Sequence, residues 1–365
     1  MHICIRSSGF KRAARNSSEE SVTNFRYEAE STFTTFGCDR VHRSQSTCDF
    51  IRVRTDIRVS RAELEMLNIF SVDVEDYFQP SELAGGVKNW TTFTPRVNIG
   101  TEFLLDLMEQ HGVRGTFFIL GWVAERHPRL IQKIVAAGHE IGCHSYSHRL
   151  VYELTPAEFE EDTVAAIRAI EDAGGVTPRA YRAPSYSVTA RTPWALDILA
   201  GCGFTHDSSI YPIVHDRYGI PGFDRHAGTL KTDSGTLIEV PVATVKLGRN
   251  HIAPVGGGAY MRLFPYRYTA AGIRRINRTE AKPACMYLHP WEVDPGQPRL
   301  SSNIVSKIRT YAGLNTMRSK IARLLRDFRF DSMAAVYPAG ANLPHIASEF
   351  SQCEEVERDL ECDFA

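Results

Sequence analysis

The sequence predicts an α/β fold, a parallel sheet with helices packed outside it. Two observations carry that prediction. Short apolar, β-branched runs alternate with helically spaced segments from Leu67 onward, the pattern of repeated strand-then-helix units. The polar residues with chemical potential sit just past those predicted strands, where both open doubly wound sheets and closed barrels gather their working groups.

At 365 residues the chain is long enough for one large domain or two ordinary ones. A formal charge of -1 offers no electrostatic argument for nucleic acid. The longest apolar stretches, such as Gly115 to Val123, are too short for a transmembrane segment. Met1 to Lys11 is followed by no apolar core or cleavage site, so it does not read as a secretory signal. The eight cysteines contain no CxxC pair, and three sit inside apolar segments; a reducing, cytoplasmic compartment fits this usage. Residues 1–65 are rich in Ser, Thr and Arg and keep no sustained period. They read as an unassigned leader, either disordered or a mis-called start with translation beginning at Met66. The organised domain is expected over 66–336, and 337–365, rich in Pro, Gly and acids, as a loose tail.

Within that domain Leu67 to Val72 is a buried-strand run that stops at Asp73. Asn98 to His111 keeps helical spacing through Phe103, Leu104, Leu107 and Met108. Thr116 to Leu120 is a second strand, Pro128 to Ala137 a helix opened by Pro128 and stopped by Gly138, and Glu140 to Cys143 a third strand. Thr155-Pro156-Ala157-Glu158 supplies an N-cap, a first-turn proline and a capping-box acid for a helix to about Ala173. Ala180 to Pro184 is a strand with its exit loop, and Thr192-Pro193 opens a helix that ends at Gly201. Phe204 to Ile210, Leu237 to Val240 and Ala284 to Leu288 are further strands.

The chemistry centres on His144 and His148, four apart after the third strand. On a helical turn that spacing sets both rings on one side, where they can share one divalent metal. Two histidines that merely fall four apart would look the same, so a third ligand is needed. Asp73-Val74-Glu75-Asp76 ends the first strand and can supply an oxygen; two imidazoles and a carboxylate leave a coordination position open, as catalytic sites do. Asp76 also reads as a plain N-cap. Arg182 could pair with Asp73 and orient it as a base, although an arginine after a strand is more often a surface residue. Pro184 sets the loop so that a following backbone N–H can face a developing oxyanion. Asp207 and His289 complete a base-and-acid set, a carboxylate beside an imidazole making a proton donor.

These blocks resemble the polysaccharide deacetylases of the NodB-homology type, carbohydrate esterase family 4. They are most similar to the subfamily associated with exopolysaccharide loci carrying exosortase and PEP-CTERM proteins. Five blocks match in order: Ser71 to Phe78, His144 to His148, Arg182 to Tyr186, Phe204 to Ile210 and Tyr287 to Trp291. The resemblance covers about Leu67 to Val336. It implies a distorted (β/α)7 barrel. It implies Asp73 as catalytic base, Arg182 as the arginine that tunes it, and His289 as catalytic acid oriented by Asp207. It implies His144 and His148 as metal ligands and zinc as the usual metal, with cobalt, nickel or manganese as alternatives. The first block departs from the family's paired aspartates. Relatives with D-x-D or D-x-E spacing suggest Glu75 as the metal carboxylate, with Asp76 the alternative, and alternation along an extended strand favours Glu75.

The expected reaction is removal of N-acetyl groups from an amino-sugar polysaccharide or its lipid-linked precursor. Ser185, Tyr186 and Trp291 are the substrate-contact candidates. Tyr77, Trp122 and Tyr146 could extend a stacking groove, though for any single aromatic a core position is the better expectation. Two other readings remain: hydrolysis of a small cyclic amide or ureide, and a carbohydrate-binding barrel without catalysis.

Overall fold

A computed structural model describes residues 66–80, 89–215, 218–248, 251–300 and 304–346. The chain divides into two units, Met1–Glu65 and Met66–Ala365, and every described residue belongs to the second. The expectations for residues 1–65 and for 347–365 lie outside the described residues.

Strand β1, Leu67–Val74, is buried at every position after its first, as a strand covered on both faces must be. It pairs in parallel with β2, Thr116–Ile119, which pairs with β3, Glu140–Cys143, then β4, Ala180–Tyr181, and β5, His206–Asp207. β6, Gly228–Lys231, runs antiparallel at the edge of β7, Thr236–Glu239, and β7 pairs in parallel with β5. A hairpin of β8, Thr244–Leu247, and β9, His251–Pro254, stands apart. β10, Cys285–Leu288, returns to the other side of β1. Seven strands, in the order β10-β1-β2-β3-β4-β5-β7, thus run parallel. No ladder joins β7 to β10 among the described residues; Ala243, just beyond β7, donates instead to Cys285 O at 2.9 Å. This is the distorted (β/α)7 barrel.

The helices cover the sheet. They are α1, Val97–His111; α2, Gly121–Arg126; α3, Pro128–Ala136; α4, Pro156–Gly174; and α5, Trp194–Gly201. Then come α6, Gly258–Leu263; α7, Tyr266–Thr279; α8, Ile304–Tyr311; and α9, Leu314–Asp327. Leu104 and Met108 of α1, Ile131 and Ile134 of α3, and Phe159 and Ile170 of α4 join Phe70, Val72, Phe117 and Ile119 of the sheet in one core cluster. Both halves of the expected capping box form: Thr155 N–H donates to Glu158 Oε2 at 2.8 Å, and Glu158 N–H to Thr155 Oγ1 at 3.3 Å. Gly138 takes φ +76 after α3, the left-handed stop that glycine favours.

Two of these expectations are corrected, and one strand is new. The strand expected over Phe204 to Ile210 is only His206–Asp207, because Ser209 folds back to bond Asp207. The tail is not loose from residue 337. Thr229 N–H donates to Pro344 O and Ile346 N–H to Thr229 O, both at 2.9 Å, and Ile346 is 3% exposed; an apolar side chain and an open edge strand account for the docking. Finally, β11, Arg329–Asp331, pairs with the start of β1 and escaped the alternation pattern because it is only three residues long.

Candidate metal centre and active site

All the candidate polar groups meet at the C-terminal ends of the parallel strands. Asp73 lies within β1. Glu75 follows in a tight turn closed by its own N–H donating to Asp73 O at 3.0 Å. Both carboxylates face the site, but by that turn, whereas the sequence argument assumed strand alternation.

His144 and His148 come from a loop, not a helix: Ser145 has φ 64 and His148 φ 54. A left-handed backbone is rare for side-chain-bearing residues and persists only where surroundings impose it. Here Ser145 O accepts from Gly121 N–H at 2.8 Å and Tyr146 O from Trp122 N–H at 3.2 Å, at the start of α2. Asp162 of α4 accepts from the N–H groups of Tyr146 (2.7 Å) and Ser147 (3.1 Å). So held, the two rings lie 5.3 Å apart.

His144 Nδ1 lies 2.7 Å from Arg182 O; donation there fixes the tautomer and turns Nε2 toward the site. Burial, opposed by Asp73 and Glu75, lowers the His144 pKa to about 4, so the ring is neutral and ready to act as a ligand. Burial disfavours charge on Glu75 too, but His148 and His289 outweigh it and hold its pKa at about 2. Glu75 Oε2 lies 2.8 Å from His148 Nε2, so both atoms face the same small space. One ligand atom each from Glu75, His144 and His148 fall within 4.8 Å of one another, all three residues buried. The donor set fits a divalent metal.

Asp76 takes a different task. It accepts from the N–H groups of Arg96 (2.6 Å) and Val97 (2.9 Å), capping α1 from a distance, and from Tyr77 N–H at 2.8 Å. Burial raises its pKa to about 6 despite those donors. As the alternative metal ligand it is set aside, since its oxygens are committed to backbone donors.

Arg182 is fully buried. Its Nη1 reaches Asp73 Oδ1 at 2.7 Å and Ser71 Oγ at 2.8 Å, its Nη2 donates to Ser208 Oγ at 3.0 Å, and its guanidinium lies 4.2 Å from the Phe118 ring centroid. A guanidinium this enclosed survives only because its donors are paired.

His289 Nε2 lies 3.4 Å from Glu75 Oε1 and 4.0 Å from Asp73 Oδ2. Burial alone would lower its pKa, but Glu75, Glu292 and Asp73 raise it to about 9. The ring carries a proton near neutrality, as a general acid must.

Asp207 does not orient it. Asp207 accepts from Ser209 Oγ at 2.6 Å and Ser209 N–H at 3.1 Å, and it faces Glu239, whose carboxyl burial and the Asp207 charge push far up. The group against His289 is Glu292, 3.3 Å from Nδ1. Strand order explains the miss: Asp207 ends β5, and His289 follows β10 on the far side of β1.

The substrate-contact candidates also change. Trp291 is 8% exposed; it stacks on His289 at 5.0 Å and 17° and donates Nε1–H to Glu75 Oε1 at 3.1 Å. It frames the site from within. Tyr186 is buried, its ring 5.0 Å from Tyr287, and its N–H is spent on Ala183 O at 3.1 Å, which removes it as an oxyanion donor. Ser185 and Tyr186 both take φ 52, a second strained turn at the site. Sequence reasoning missed Glu292, although His289-Pro290-Trp291-Glu292 carries the N-cap, first-turn proline and third-position acid of a capping box. It also missed Ser71, Asp162 and Ser208, for which no sequence signal stands out.

The sequence profile described as polysaccharide deacetylase matches residues 90–205, and one described as a domain of unknown function (DUF3473) matches 208–338. A chitooligosaccharide deacetylase of Bradyrhizobium sp. (strain ANU 289) is 35% identical over 127 residues, 34% of this chain and 55% of that protein. The chain thus spans about half the length of that relative. A chitooligosaccharide deacetylase of Sinorhizobium fredii is 30% identical over 154 residues, 41% of this chain and 69% of that protein. A solved family 4 carbohydrate esterase from Streptomyces lividans superposes with TM-score 0.41 at 17% identity, covering 77% of this chain and 99% of that one. With the profile falling across the loops of His144, His148 and Arg182 and the Sinorhizobium likeness covering more than two thirds of its partner, the chain belongs to the polysaccharide deacetylase family.

Proposed function

We propose that the protein is a metal-dependent N-deacetylase acting on an amino-sugar polysaccharide or its lipid-linked precursor, in exopolysaccharide biosynthesis. The observation that carries the reading is the buried Glu75, His144 and His148 cluster beside the Asp73–Arg182 pair and His289. Two imidazoles and one carboxylate suit zinc best, with cobalt, nickel or manganese able to substitute. A bound divalent ion would supply Lewis-acid polarisation of the acetamide carbonyl and activation of water.

The protein's residues do the rest. Asp73, oriented by Arg182 at 2.7 Å, takes a proton from the attacking water. Water oxygen bonds to the carbonyl carbon. As the C–N bond breaks, His289 Nε2 gives its proton to the departing nitrogen, leaving acetate and a free amine. An amide nitrogen leaves poorly without that proton, and the raised pKa of His289, about 9, keeps the proton available. The amino-sugar class is supported by the rhizobial relatives, both named chitooligosaccharide deacetylases.

The test is metal content of the purified protein by elemental analysis, beside a His144→Ala/His148→Ala variant, followed by acetate release from N-acetylated oligosaccharides. About one equivalent of zinc or a similar ion, as expected of one closed ligand set, lost in the variant together with acetate release, is the expected result. A wild type that holds no metal after reconstitution would remove the hydrolase reading in favour of a carbohydrate-binding barrel.

A further inference from the structure

We propose that Glu292, itself held by Arg262, is the positioning residue for His289, the task that the family resemblance assigns to Asp207. The proposal rests on the deacetylase reading above.

The two oxygens of Glu292 have separate duties. Oε2 accepts from His289 N–H at 3.0 Å and lies 3.3 Å from His289 Nδ1. Oε1 accepts from Arg262 Nε at 2.6 Å. Glu292 is 0% exposed and Arg262 3%, so each charge depends on the other. Arg262 is fastened in turn to the end of α8, donating to the carbonyls of Arg309 (2.7 Å), Thr310 (3.0 Å) and Ala312 (3.0 Å). α6 closes over the carboxylate at Gly258, where an added Cβ would stand 1.6 Å from Glu292 Oε2. With Nδ1 fixed by Glu292 and one ring face covered by Trp291, Nε2 is left aimed at Asp73 and Glu75.

Arg262, His289, Glu292 and the α8 carbonyls all lie in the segment matched by the domain of unknown function, 208–338. Part of what that segment does, on this reading, is hold the proton donor. Asp207 spends its oxygens on Ser209, whose Oγ accepts from Ala183 N–H at 2.8 Å, and so belongs to the Arg182 loop.

Glutamine cannot replace Glu292. One amide oxygen cannot serve Arg262 and His289 together, and its NH2 would face a donor on whichever side it turned. The experiment uses the full chain loaded with zinc, as wild type, E292Q, E292D and D207N, with two readings. ¹⁵N NMR of histidine-labelled protein, with His289 assigned through H289Q, follows the ring without turnover. The expected result is one His289 environment with Nδ1 protonated in wild type, displaced in E292Q and unmoved in D207N. Acetate release is expected to show kcat lowered about 10- to 100-fold in E292Q, the usual scale for loss of such a supporting partner, with KM little changed and zinc retained. E292D, which keeps both oxygens at shorter reach, is expected to recover part of kcat. An unmoved His289 signal in E292Q, or a signal moved by D207N instead, overturns the proposal. Should E292Q fail to fold, E292D is read the same way, and an unmoved signal there overturns it. A wild type that releases no acetate defeats the deacetylase reading, while the NMR comparison still decides the Glu292 contact.

Discussion

At the scale of single residues the site works by setting buried charges against one another. Glu75 lies between His148 and His289, and Asp73 between Arg182 and His289. The Asp207–Glu239 pair obeys the same electrostatics without a cation between. Burial and then the Asp207 charge raise Glu239 well above 4.5, and burial raises Asp207 as well; two adjacent buried carboxyls keep a shared proton. The native state holds that proton where the unfolded chain has lost it. The contribution to stability is therefore greatest below about pH 4.5 and declines as pH rises through the raised value. A Glu239→Gln side chain can donate to Asp207 and accept from Ile210 N–H, which lies 3.3 Å from Glu239 Oε1. E239Q is expected to keep its stability from about pH 5 to pH 8 better than wild type, by urea unfolding across that range. Parallel pH profiles for the two proteins would contradict the shared proton.

At the scale of elements, the strands deliver the groups and the helices hold the loops. Helix α1 approaches the turn Pro290–Val293 so closely that a Cβ on Gly100 would stand 2.0 Å from Pro290 O. Alanine suits a helix better than glycine by roughly 1 kcal/mol, so an isolated helix would gain from Gly100→Ala. Here the methyl must push α1 off the turn that carries Trp291 and Glu292. G100A is expected to cost about 1–3 kcal/mol, read as a lower urea midpoint, and to reduce acetate release. A variant as stable as wild type would mean that α1 can shift without cost.

At the scale of the whole molecule, Glu75 follows β1 while His144 and His148 follow β3, two strands along the sheet, and the three become neighbours only in the folded barrel. A metal that binds this set and not the unfolded chain stabilises the fold by mass action, about 2.7 kcal/mol at a hundredfold excess over Kd. Chelation is expected to lower the Tm of wild type and leave that of the His144→Ala/His148→Ala variant unchanged. Equal shifts in both proteins would place any metal elsewhere.

The sequence by itself determined the strand-and-helix alternation, the α4 capping box and the grouping of Asp73, His144, His148, Arg182 and His289 at strand ends, with Glu75 or Asp76 beside them. Each is legible because it depends on near neighbours: apolar period, cap spacing, acids and imidazoles at strand ends. Only the tertiary structure decided between Glu75 and Asp76, because Asp76 is taken by backbone donors at Arg96 and Val97, some twenty residues away. It also moved the partner of His289 from Asp207 to Glu292 and made Trp291 and Tyr186 part of the framework. Those outcomes turn on which strands lie side by side and which polar atoms are already spent. Both are properties of the closed sheet, and local sequence pattern carries neither.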